Sequence, residues 1–177
     1  MKINEVVLMP DFDRESSEMP GEELLGMSSS DLVGEGFRHL FRYQGNSIFS
    51  KQDSGETLYA VANPADRITA VMVTQPYGTA DQVTGIVASK ENTLKIPALY
   101  HLLIVKYDIT LVSDYIQSPG GKKVWERLSD MPGVQVDVWD HKANEFVNTE
   151  SDDAFYDIND PDNFAESQHW LLIATRR

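Results

Sequence analysis

The hydrophobic period of this chain first changes at Leu94, and that change restricts the fold more than any other feature. Before it, short alternating runs recur roughly every ten residues with turn residues between them, which is the pattern of an antiparallel meander. FRHLFRY (37–43) sets Phe37, His39, Phe41 and Tyr43 against Arg38, Leu40 and Arg42. QGN then leads to SIFSKQ, DSGE to TLYAVAN, Pro64-Ala65-Asp66 to RITAVMVTQ, and Pro76-Tyr77-Gly78 to DQVTGIVAS. After the change, LKIPALYHLLIVKY places Ile96, Leu99, Tyr100, Leu103 and Ile104 three and four apart, one buried face of a helix. Pro97 suits the first turn of that helix and would break its middle.

The rest of the chain reads as strand, helix, strand, strand. ITLVSD (109–114) is a β-branched run that stops at Ser113-Asp114. Ser118 is a plausible N-cap and Pro119 a first helical residue for a helix through Lys122 to Leu128, with Val124, Trp125 and Leu128 on one side. Met131-Pro132-Gly133 turns the chain into VQVDVWD, an acid-rich loop spans 140–167, and HWLLIATR is the last strand. The expected class is α+β (mixed α/β): a mixed sheet with an antiparallel N-terminal meander and two main helices. Val83–Ala88, the helix to Tyr107 and Ile109–Val112 form a βαβ unit with parallel strands. Residues 1–36 read as an acidic, irregular arm with helical turns near Glu22–Met27 and Ser30–Val33, the second capped by Ser30 or Asp31. Residues 37–177 read as a single domain.

Composition narrows the function classes. Of 177 residues none is Cys, so disulfides, thiolate catalysis and Cys-ligated zinc are excluded. His39, His101, His141 and His169 are widely spaced, and Asp152, Asp153, Asp157, Asp160 and Asp162 lack EF-hand spacing, so no metal is expected. No apolar run approaches the ~20 residues of a membrane helix, and the N-terminus lacks a signal-peptide core, so a cytoplasmic or particle-packaged protein without membrane association is expected. The net charge of −13 repels nucleic-acid phosphates and favours a protein partner with a basic surface. The same charge also allows an acidic DNA mimic that inhibits a DNA-binding protein.

The order of elements resembles the GNAT acyltransferase fold over roughly residues 57–177. Leu111 to Leu128 is similar to the second signature of that family, with Asp114 in the place of a polar strand-end residue, often Asn. Trp125 stands where a helical aromatic, often Tyr, is found. The resemblance implies an acyltransferase scaffold and acetyl-CoA as its cofactor. Asp114 and Tyr115 are then the catalytic candidates, with Tyr115 or Tyr100 as substitutes for the acid that Trp125 cannot be. The family's phosphate-cradling glycines are replaced by ASKENTLKIPAL, with no glycine between Gly85 and Gly120. Lys90, Asn92, Thr93 and Lys95 are the residues of that stretch able to meet an anion. Without the glycines, no cofactor is expected. The expected function is that of a catalytically degenerate GNAT-like, acidic protein acting through protein–protein contact, and its style resembles small tailed-bacteriophage proteins, as a host-factor modulator or virion component. An active N-acyltransferase with an unusual cofactor mode is the alternative. The partner surface is assigned to residues 10–36 of the acidic arm, with Phe12, Met19, Leu24, Leu25 and Met27, and to the loop 150–166 carrying Asp152, Asp153, Phe155, Tyr156 and Phe164, apolar anchors rimmed by charge.

Overall fold

A computed structural model describes residues 5–7, 20–114, 119–147 and 170–177. The strands are β1 (Glu5–Val7), β2 (Arg38–Tyr43), β3 (Asn46–Asp53), β4 (Glu56–Ala62), β5 (Ile68–Tyr77), β6 (Ala80–Ala88), β7 (Leu111–Val112), β8 (Val134–Asp140), β9 (Glu145–Val147) and β10 (Trp170–Arg176). The helices are α1 (Ser29–Gly34), α2 (Ile96–Tyr107) and α3 (Pro119–Ser129), with a 3-10 turn at Glu22–Leu24. The ten strands of the described residues join one sheet in the order β2-β3-β4-β5-β6-β7-β10-β8-β9, and β1 pairs with β6 off this path.

The meander β2 to β6 is antiparallel throughout, as its two-residue period and turn residues require. The chain then crosses through α2, and β7 returns parallel to β6, with Asp81 opposite Leu111 and Gln82 opposite Val112. β10 inserts antiparallel between β7 and β8. The mixed α+β class read from the period change is the one observed. Helix α2 buries Ile96, Leu99, Tyr100, Leu103 and Ile104, the face predicted by their spacing. Pro97 sits in its first turn, where a missing N–H costs nothing. Asp108 ends the helix in the left-handed region, φ 58°, with its N–H on the Ile104 and Leu103 carbonyls.

Two cores flank the sheet. On one face α2 and α3 pack Leu99, Tyr100, Leu103, Trp125 and Leu128 against Ile48, Met72, Val83 and Ile86. A second cluster joins Leu24 and Leu32 to Phe37, Phe49, Ala60, Ile68, Val71 and Val87, with Leu25 and Met27 packed against it. The described part of the N-terminal arm therefore rests on the protein's own sheet. Backbone bonds fix it there: Gly26 N–H donates to Ile68 O at 2.8 Å and Ile68 N–H to Met27 O at 2.9 Å. The cap of α1 is Ser28 rather than Ser30 or Asp31. Asp31 is instead the N3 partner of a capping box, and the Ser28 hydroxyl accepts its N–H.

Strand β2 departs from simple alternation. A bulge between His39 and Phe41 shifts its register against β3. Phe37 consequently packs in the second core and Phe41 in the first, although four residues of unbroken strand would place them on one face. Strand β9, in the stretch read as loop, pairs with β8 from Val138–Val147 to Asp140–Glu145. No described helix is long and apolar enough to cross a membrane.

Candidate functional site

The connection from β6 to α2 is where the sequence placed its anion-binding candidates. Lys90 and Lys95 are exposed, Lys90 in the turn and Lys95 at the N-cap of α2, where it makes no side-chain cap bond. Asn92 and Thr93 are turned to other work. Asn92 donates through Nδ2 to Leu94 O at 2.6 Å and accepts at Oδ1 from the Thr69 hydroxyl at 3.2 Å. Thr93 donates from Oγ1 to Oδ1 of buried Asn46 at 2.8 Å. Two further bonds close the turn, Ser89 N–H to Thr69 O and Asn92 N–H to Ser89 O. The polar side chains between the lysines thus tie the loop to β3 and β5. Lys90, Glu91 and Lys95 are the exposed charged residues of the loop, and the Glu91 carboxylate between the two cations opposes an anion there.

Asp114 lies half-buried just beyond β7, and its carbonyl accepts from the Ser113 hydroxyl at 3.1 Å. Ser113 is wholly buried. Its hydroxyl accepts Leu172 N–H at 2.9 Å, and its own N–H donates to Leu172 O at 2.8 Å. Gln82, also buried, donates from Nε2 to Ser113 O at 3.1 Å and accepts from Gln75 at 3.1 Å. A polar ladder therefore crosses β5, β6, β7 and β10, with every member partnered. The Ser-Asp pair marks where β7 leaves β6 for β10. Asp114 and the Lys90–Lys95 loop are not brought together: β7 ends level with Gln82, while β6 continues to Ala88, about 20 Å further at ~3.3 Å per residue.

Tyr115, Asp152, Asp153, Phe155, Tyr156 and Phe164 lie outside the described residues, as do Phe12 and Met19 of the arm. Tyr100, the other candidate acid, is 1% exposed, and burial raises its hydroxyl well above the ordinary tyrosine value. It stays protonated and out of reach of a substrate. Its ring meets Trp125 edge to face at 5.7 Å, and Trp125 is fully buried with no hydrogen-bond partner for its Nε1–H. This aromatic pair is the anchor between α2 and α3.

One titratable pair escaped the sequence reading. Asp81, at the start of β6, has its carboxyl raised above the usual value of 3.8 by burial. Tyr59 is pushed up to about 12, chiefly by burial and secondly by the Asp81 charge. Alternation alone carried no signal for this pair, because the proximity depends on β4 and β6 flanking β5. Among the described residues no group of three or more His, Asp or Glu is placed to hold a metal ion.

Phe146 is the most exposed large apolar side chain among the described residues, at 61%, and stands edge to face with Trp139 at 4.9 Å. It occupies the β8–β9 hairpin at the end of the sheet, directly before the acid-rich segment in sequence. No protein-family model, curated protein or solved structure matches the chain.

Proposed function

We propose that this chain is a catalytically degenerate GNAT-like protein that works through contact with a basic protein partner, as a phage host-factor modulator or virion component. The observation that carries this reading is the use of Asn92 and Thr93. The only polar side chains between Lys90 and Lys95 able to orient an anion are bonded to Leu94, Thr69 and Asn46. A phosphate binder would need those groups, or glycine amides in their place, aimed outward. The scaffold side of the proposal is supported by the element order and by the parallel β6–β7 pair across α2. The contact side is supported by the net charge of −13 and by Phe146, an exposed aromatic on an edge hairpin.

The parallel pair is also the observation in favour of the second reading, an active N-acyltransferase. Calorimetry with acetyl-CoA separates the two. No heat of binding at micromolar concentration is expected. A low-micromolar isotherm would install the acyltransferase reading, with Lys90 and Lys95 as the first residues to replace.

A further inference from the structure

We draw no further inference here: the strongest candidate, the surface patch formed by the exposed side chains of Tyr43 on β2 and of Lys106 and Tyr107 at the end of α2, carries nothing, because nothing among the described residues shows what covers it.

Discussion

At the scale of single residues, the polar groups that look like chemistry in the sequence are largely consumed by the fold. Ser113 satisfies Leu172, Gln82 satisfies Ser113, and Thr93 satisfies Asn46. A buried donor or acceptor without a partner costs about 1–3 kcal/mol, so such pairings are strongly held. Asp81 is the exception. Its carboxyl is raised by burial, so the folded state binds a proton more tightly than the unfolded chain does. Below its ordinary value of 3.8 both states are protonated and burial costs little. As the pH rises through the raised value, the folded state must ionise a half-buried group and stability falls. Asp81→Asn removes that cost. Its melting temperature should exceed that of wild type at pH 7, and the gain should vanish as the pH approaches 3.8. Melting curves across that range decide it; a gain independent of pH would place the effect elsewhere than ionisation.

At the scale of elements, the described arm behaves as part of the sheet's second core. Gly21 shows why. It holds φ +87°, where a side chain is strained, and a Cβ there would stand 2.5 Å from Val71 Cγ1. Gly21→Ala should lower stability by roughly 1–3 kcal/mol through overpacking. The urea midpoint measures it, and an unchanged midpoint would mean the arm is not seated on β5. The sequence made the long elements legible. The meander's two-residue period, the α2 stripe of Leu99, Tyr100, Leu103 and Ile104, and VQVDVWD each carry several residues of one period. Strands β1 and β9 show three described residues each, too few to carry a period, and β1 in addition pairs with β6, distant in sequence. The bulge in β2 was hidden for a related reason: its Phe37–Phe41 spacing fits regular alternation, and the flip of face comes from the pairing with β3. The candidate loop was located by sequence, but not its ties to the sheet. Asn92 and Thr93 read as anion ligands until Asn46 and Thr69, 47 and 23 residues away in sequence, are brought beside them.

At the scale of the whole molecule, those two ties decide between a site and a joint. The Ser89–Lys95 loop joins the sheet to α2, which builds the first core together with α3. If the loop is a joint, its polar side chains contribute to stability; if it is a site, they contribute to ligand binding. Thermal melting of the Asn92→Ala/Thr93→Ala double variant, with and without acetyl-CoA, is the most direct measurement. Loss of both ties should cost about 2 kcal/mol and lower the melting temperature by roughly 4–8 °C, with no effect of acetyl-CoA on either protein. An unchanged melting temperature in the double variant, together with a rise in wild type on adding acetyl-CoA that the variant lacks, would contradict this account.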